Sequence, residues 1–317
     1  MPEIQDDKGQ YVIPFILGRL AEHQAKHADD SNPPPPFFIG LNGVQGAGKS
    51  VLVDILKETL SSPPHSLSTV VFSLDDLYLT HADQVALAQS HPNNPLLQHR
   101  GQPSTHDVPL ALSVFASLKA NQPTKIPQYN KAAFAGQGDR VPEEEWEVVN
   151  GGGDGSSPVQ VVLFEGWSVG FRPLSESALR SKHAAAVAAL EKSTPSNPYT
   201  GRLGHNTLAS VTAINDALKS YDQLTSQLDA FVHIDAADPT YVYKWRLEQE
   251  ANLRAARGSG MTDEQVKHFV DGYYPAYELY TDTLREGVFK DVRPDWQGRQ
   301  LRLIVGADRK VQQVITI

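Results

Sequence analysis

The residues with the clearest chemical meaning are the eight from Gly43 to Ser50, which read GVQGAGKS. Their spacing matches G-x-x-x-x-G-K-[ST], in which glycines let several backbone N–H groups turn toward one phosphate. The lysine of such a loop reaches the β- and γ-phosphates, and the serine hydroxyl coordinates Mg²⁺. A glycine turn that only caps a helix is the alternative. We predict that ATP binds to Gly43, Val44, Gln45, Gly46, Ala47, Gly48, Lys49 and Ser50.

Three acidic residues stand at the ends of two other apolar runs. Asp75 and Asp76 follow TVVFSL (69–74), and Glu165 follows VQVVLF (159–164). Open α/β sheets build their sites at the carboxyl ends of strands, so we expect these acids near the loop. Phosphoryl transfer needs one acid to take the acceptor's proton and another to hold Mg²⁺. For each acid the alternative is structural, and for Asp75 and Asp76 it is capping of the next helix.

The elements that must position these residues alternate along the chain. Apolar runs at 37–41, 69–74, 159–164, 230–235 and 301–306 predict strands, and spacings of three or four predict helices over 11–26 and 207–228. Two charged helices are expected between 239 and 286. This order predicts an α/β fold with an open, mostly parallel sheet and helices on both faces. Residues 1–36 are expected to form a helix and a proline-rich connector, and 37–317 one domain with insertions near 143–158 and 193–206.

Composition excludes several classes of protein. The 317 residues carry a net charge of −9, which argues against a nucleic-acid-binding face, and they contain no cysteine for disulfides or zinc. Histidine spacing suggests no zinc site, and no apolar run is long enough to cross a membrane. The first residues lack the pattern of a secretory or transit peptide. We therefore expect a cytoplasmic protein, with the nucleus and the oligomeric state left open.

The motifs resemble those of a known group of kinases. GVQGAGKS, SLDDLYL and FEGW are similar to segments of uridine kinase, phosphoribulokinase and bacterial pantothenate kinase. Longer blocks resemble the D-glycerate 3-kinase family, and most of all its fungal branch of ATP-dependent kinases; they are 100–107, 126–140, 217–234 and 245–280. The resemblance implies a P-loop kinase fold with a helical lid. It implies that Asp75 is the base, that Glu165 and Ser50 organise Mg²⁺, and that Lys49 stabilises the transferring group.

The blocks supply candidate residues for the acceptor and the lid. A carboxylate-bearing substrate needs a cationic clamp, and an arginine binds a carboxylate through two parallel hydrogen bonds. The substrate candidates are Arg100, His106, Asp107, Tyr129, Lys131 and Arg140, and the lid candidates are Arg246 and Arg254. Each has a structural alternative as a solvated charge or a helix cap, and Asp107 in particular fits an N-cap.

The sequence thus predicts an enzyme that transfers the γ-phosphoryl group of Mg-ATP to a hydroxyl of a small anionic metabolite. D-glycerate is the favoured acceptor, on the strength of the resemblance. The alternatives are the same chemistry on pantothenate or a nucleoside, and a non-catalytic regulatory protein that binds ATP. The expected binding partners are ATP and this small substrate. Neither a nucleic acid nor a membrane is expected as a partner.

Overall fold

The computed structural model describes residues 6–28, 34–151, 157–257 and 260–317. Within these ranges a six-stranded sheet forms the centre of the fold. The strands are β1 (Phe37–Gly43), β2 (Thr69–Ser73), β3 (Thr124–Ile126), β4 (Tyr129–Asn130), β5 (Asp139–Arg140), β6 (Glu147–Val149), β7 (Val161–Gly166), β8 (Ala230–Ala236), β9 (Gln300–Val305) and β10 (Val311–Thr316).

Helices separate the strands. They are α1 (Gly9–Lys26), α2 (Lys49–Ser61), α3 (His81–Ser90), α4 (Val108–Lys119), α5 (Glu176–Glu191), α6 (Leu208–Leu218), α7 (Asp222–Thr225), α8 (Tyr241–Arg257) and α9 (Asp263–Glu286). In the described part of the chain, no helix has both the length and the apolar composition that crossing a bilayer requires.

The order of the strands in the sheet determines where a site can form. The order is β10-β9-β8-β1-β7-β2, and all neighbours run parallel except β10, which is antiparallel to β9. Every residue of β1 and β8 is buried, so both faces of the central strands are covered. β2, β7, β1 and β8 therefore end side by side at one edge, which is where the phosphate loop begins.

The five predicted strands are confirmed, but the sequence pattern missed β10. That strand is mostly exposed and reads VQQVIT, without the apolar run that marks a buried strand. The predicted helix over 207–228 is broken: α6 ends at Leu218, and a 3-10 turn separates it from α7.

Three regions outside the central sheet also pack onto the fold. In α1, Val12, Ile16 and Leu20 belong to the main core, while residues 29–33 of the predicted connector lie outside the described residues. Within 143–158, β6 pairs with β3, and residues 152–156 also lie outside the described residues. In 193–206 the first half is exposed and Leu203 is buried.

A buried ion cluster fastens α9 to the sheet. The Asp235 carboxylate, 3% exposed, accepts hydrogen bonds from Arg285 Nε at 2.9 Å and Arg285 Nη2 at 3.0 Å. Arg302 of β9 donates to the same carboxylate through Nε at 2.9 Å. Burial alone would raise the pKa of Asp235, but the two guanidinium groups hold it below its usual value.

Removing this carboxylate tests the role of the ion cluster. We expect Asp235→Ala to lower the free energy of unfolding by about 3–5 kcal/mol, because Arg302 loses its counter-ion and Arg285 keeps only the longer contact to Asp282, at 3.5 Å. Denaturant unfolding followed by circular dichroism measures the change. Asp216→Ala removes an exposed pair with Lys219 and should cost less than about 1 kcal/mol. Equal losses in the two variants would contradict the structural role of the cluster.

Candidate active site

The loop after β1 forms a cradle of unpaired amides. Gly46 and Gly48 have φ of +80° and +94°, a left-handed conformation that glycine adopts without strain. The Ala47 amide donates to the Val44 carbonyl at 3.2 Å. Within the described chain, the amides of Gly46, Gly48, Lys49 and Ser50 meet no acceptor. Four free donors at the N-terminus of α2 are suited to bind a phosphate.

Lys49 lies at the centre of the site and is partly buried. Its Nζ donates to the Gly43 carbonyl at 2.7 Å and approaches the Val44 carbonyl at 3.4 Å. Burial lowers the pKa of Lys49, while the nearby carboxylates of Glu165 and Asp75 act in the opposite direction. The predicted convergence is present: the ammonium and both acids share one cleft.

Ser73, which the sequence analysis did not single out, connects the two acids. It is the last residue of β2 and pairs in register with Glu165 at the end of β7. Its hydroxyl donates to Glu165 Oε1 at 2.7 Å and accepts from the Asp75 amide at 3.2 Å, which caps the 3-10 helix Leu74–Leu77. Ser73 therefore supplies the cap, so neither Asp75 nor Asp76 is needed for it.

The Asp75 carboxylate has a partner on each oxygen. Tyr78 OH donates to Oδ1 at 3.1 Å, and the Lys131 ammonium binds Oδ2. Burial would raise the pKa of Asp75, but Lys131, and to a lesser extent His106 and Lys49, bring it below the usual value. Asp75 is therefore ionised at neutral pH, as a proton acceptor must be.

Asp76 has a different role from its neighbour. Its Oδ1 accepts from the Tyr129 amide at 3.2 Å and so ties β4 to the end of β2. Burial raises the pKa of Asp76 to about 6. Tyr129 does not line the cleft, but its ring packs against Tyr78, which does, with centroids 5.4 Å apart.

His106 is a buried, neutral hydrogen-bond donor beside the acid. Its ring is 5% exposed and stacks on Tyr78 at 4.5 Å. Burial lowers the pKa of His106 to about 4, so the ring is neutral at pH 7. Tyr221 OH lies 2.7 Å from Nδ1, and Nε2 is buried without a partner in the described chain. If Tyr221 donates to Nδ1, then Nε2 carries the proton.

Arg100 shapes the wall of the cleft instead of offering a free guanidinium. It donates to the carbonyls of Gly136, at 2.7 Å, and of Gln137. Its Nη2 approaches the Lys131 carbonyl at 3.4 Å, and the group lies 5.7 Å from the centre of the Tyr129 ring. Arg100 thus holds the turn between β4 and β5 against the cleft.

Two predicted substrate residues have structural roles. Asp107 Oδ1 accepts from the Leu110 amide at 3.0 Å, so Asp107 is the N-cap of α4. Its other oxygen pairs with Arg140 at 3.1 Å, and Arg140 also donates to the Tyr78 carbonyl at 3.0 Å. Neither residue lines the cleft. In this structure the two residues join α4, β5 and the segment after β2.

The two lid arginines lie in different places. Arg246 lines the cleft, and its charge lowers the pKa of Lys49. It bonds Gln249 Oε1 at 2.6 Å, and its guanidinium stands 5.2 Å from the centre of the Phe269 ring. Arg254 instead donates to Asp263 at 2.8 Å and to the Met261 carbonyl, so it joins α8 to α9. Only Arg246 of this pair is placed to meet a phosphate.

The outer side of the loop is supported by residues that the motif did not reveal. A Cβ on Gly46 would lie 2.6 Å from the Cβ of Trp245, which is fully buried in α8. Arg309, in the turn between β9 and β10, donates to the Gly46 carbonyl at 2.7 Å and to Glu248 at 2.7 Å. Tyr277 OH accepts from the Gln45 amide at 3.3 Å. These contacts span 200 residues or more of sequence for Tyr277 and Arg309, so no local pattern could indicate them.

Comparison with known proteins places the chain among kinases. No family model matches it. It is 40% identical to "Uncharacterized kinase mug58" of Schizosaccharomyces pombe over 255 residues, 80% of this chain and 84% of that protein. It is 32% identical to "Probable ATP-dependent kinase TDA10" of Saccharomyces cerevisiae over 309 residues, 95% of this chain and 94% of that protein.

A solved structure extends the similarity to the whole fold. A D-glycerate 3-kinase from Cryptococcus neoformans is 37% identical and superposes with a TM-score of 0.85. The superposition covers 98% of this chain and 100% of that one. The sheet, the loop and the helices around the cleft are therefore arranged as in a kinase.

The packing of Trp245 against the loop predicts the effect of a methyl group. We expect Gly46→Ala to weaken ATP binding at least 10-fold, because the added Cβ would clash with Trp245 at a backbone angle that alanine resists. Titration calorimetry with ATP measures the affinity. Gly18→Ala is the control, since nothing lies within 4 Å of that position in α1. A folded Gly46→Ala protein with unchanged affinity would contradict this account of the loop.

Proposed function

Because the chain belongs to the D-glycerate 3-kinase family, whose members include ATP-dependent kinases, we propose that it transfers the γ-phosphoryl group of Mg-ATP to a hydroxyl of D-glycerate. The chain is an ATP-dependent kinase, a phosphotransferase with a hydroxyl acceptor. The observation that supports the finer assignment is the convergence of Lys49, Asp75 and Glu165 in one cleft that Lys131 also lines.

The triphosphate is expected to lie along the loop. The free amides of Gly46, Gly48, Lys49 and Ser50 would bind phosphate oxygens, aided by the positive end of α2. Lys49 would exchange its bonds to the Gly43 and Val44 carbonyls for the γ-phosphate. Arg246 would approach the transferring group from α8, where an added cation stabilises the charge on the equatorial oxygens.

Two side chains fit the Mg²⁺ that accompanies ATP. The Ser50 hydroxyl lines the cleft and has no hydrogen-bond partner in the described chain, and Glu165 uses Oε1 for Ser73 and leaves Oε2 free. Among described residues no cluster of three His, Cys, Asp or Glu could hold a metal alone. This suits Mg²⁺, which keeps several waters and shares phosphate oxygens. Bound there, it would neutralise charge on the β- and γ-phosphates.

Asp75 would receive the proton of the acceptor hydroxyl. The acceptor O–H bond breaks toward Asp75 while the new O–P bond forms, and the bond from the γ-phosphorus to the β-bridging oxygen breaks to release ADP. Tyr78 and the stacked His106 ring hold the carboxylate in place from the interior.

A panel of acceptors tests the assignment of substrate. We expect D-glycerate to stimulate ADP release from Mg-ATP more than pantothenate, uridine or glycerol does, because the chain belongs to the D-glycerate 3-kinase family and Lys131 offers a cation in the cleft. A coupled assay of ADP formation, with phosphoglycerate detected by mass spectrometry, gives the result. If the folded protein binds ATP but D-glycerate does not stimulate turnover, the assignment of D-glycerate fails.

Substitution of the proposed base tests the mechanism. Asp75→Asn keeps the shape of the side chain, so ATP affinity should remain within about threefold, whereas kcat should fall about 10²–10⁴-fold with loss of the proton acceptor. Steady-state kinetics and ATP titration measure the two effects. Asp216→Asn, at an exposed pair with Lys219, is the matched control. An unchanged kcat in Asp75→Asn would remove Asp75 from this role.

A further inference from the structure

The oxygen of Asp75 that faces the cleft is covered by a lysine. Tyr78, which binds Oδ1, is 2% exposed and approaches from the interior. Lys131, which binds Oδ2, has a side chain 55% exposed and lines the cleft. An acceptor that is to bond Oδ2 of Asp75 from the cleft must therefore take the place of the Lys131 ammonium.

The backbone of Lys131 is fixed while its side chain is free to move. Arg100 approaches the carbonyl of Lys131 and binds the turn that follows, and the Ala132 amide donates to Asn130 Oδ1 at 3.0 Å. Asp76 holds the Tyr129 amide on the other side. The half-exposed side chain can thus move its ammonium by rotamer changes alone, with the wall of the cleft in place.

Lys131 differs from the other cations that line the described cleft. The others hold protein groups besides the reacting acid: Lys49 the carbonyls of Gly43 and Val44, Arg100 the turn carbonyls, Arg202 Asp271, Arg246 Gln249, and Arg309 Glu248. Among the residues that the structure describes, the one partner of the Lys131 ammonium is Asp75 itself. If this ammonium moves to a substrate, the only bond it gives up is the bond to the base.

We propose that Lys131 is a specificity-determining residue that releases the base only for an acceptor carrying a carboxylate. The carboxylate of a small hydroxy acid draws the ammonium away from Asp75 Oδ2, and the hydroxyl of the same molecule takes the freed position. The proton then passes from that hydroxyl to Asp75 as the O–P bond forms and ADP leaves. Water and neutral alcohols offer no counter-charge, so the base stays covered.

The inference rests on the proposed function and names how the acceptor is selected. A covered base would explain how the enzyme avoids transferring the phosphoryl group to water, which is also a hydroxyl compound. Such a transfer would consume ATP without phosphorylating the substrate. A base covered by an ammonium is a poor acceptor of a proton from water. A charge-assisted hydrogen bond contributes enough free energy for a discrimination of 10-fold or more.

The test compares an acceptor that carries a carboxylate with acceptors that carry no charge. D-glycerate, its uncharged amide D-glyceramide, and water are supplied to wild type, Lys131→Met and Lys131→Gln, with ADP release as the readout. Lys125→Met is the matched control. Lys125 lies on strand β3 and forms an exposed pair with Glu143. Thermal melts establish that each variant is folded. The two substitutions of Lys131 both remove the ammonium and so test the same point independently.

Two results are expected together. The ratio of kcat/KM for D-glycerate to that for D-glyceramide should fall at least 10-fold in the Lys131 variants and stay unchanged in Lys125→Met. ATP hydrolysis without acceptor should rise severalfold in the same variants, because Asp75 is uncovered. If Lys131 had only a structural role, its substitution would lower kcat/KM for D-glycerate and for D-glyceramide by the same factor.

Either of two outcomes overturns the proposal: an unchanged ratio, or an unchanged rate of hydrolysis without acceptor. If wild type does not phosphorylate D-glycerate at all, the proposed acceptor is wrong and hydrolysis alone decides on Lys131. A raised rate of hydrolysis in the variants then supports the covered base, and an unchanged rate overturns it.

Discussion

A partly buried ammonium with two carboxylates at one edge of the sheet is the arrangement on which the other features depend. Charges taken out of water are costly unless they are paired and hydrogen-bonded. Lys49, Asp75 and Glu165 come from three different strand ends, so their mutual distances are set by the order of the strands. Because β1 lies beside β7, and β7 beside β2, the loop and both acids meet at the same edge.

The surroundings of this cluster can be understood as the means of holding it. Ser73 connects the two acids, and Tyr78 fixes one oxygen of Asp75. Asp76 accepts a hydrogen bond from the backbone of β4. On the far side of the loop, Trp245 and Arg309 fix the Gly46 peptide. These contacts orient the reacting groups before a substrate arrives, which is the main way in which a protein lowers the barrier to phosphoryl transfer.

Local patterns predicted those parts of the molecule whose function depends on local geometry. The glycine loop, the acids at strand ends and the five buried strands follow from spacing and burial alone, and the structure confirms the strands. What the sequence could not give depends on contacts distant along the chain. Asp107 and Arg140 were both substrate candidates, and their pairing with each other could not be seen from the sequence. Ser73, Tyr221 and Arg309 looked ordinary because their partners are far away in sequence.

The lowered pKa of Asp75 is compatible with its proposed role as base. The transition state of phosphoryl transfer is loose, so the nucleophile gains little charge early and loses its proton late. The carboxylate of Asp75, which accepts the proton, must then be ionised and well placed, and it need not be strongly basic. Before a substrate binds, Lys131 and, to a smaller extent, Lys49 keep Asp75 ionised, while Tyr78 sets its orientation. A more basic carboxylate in the same buried position would carry a proton over more of the pH range and could not accept one.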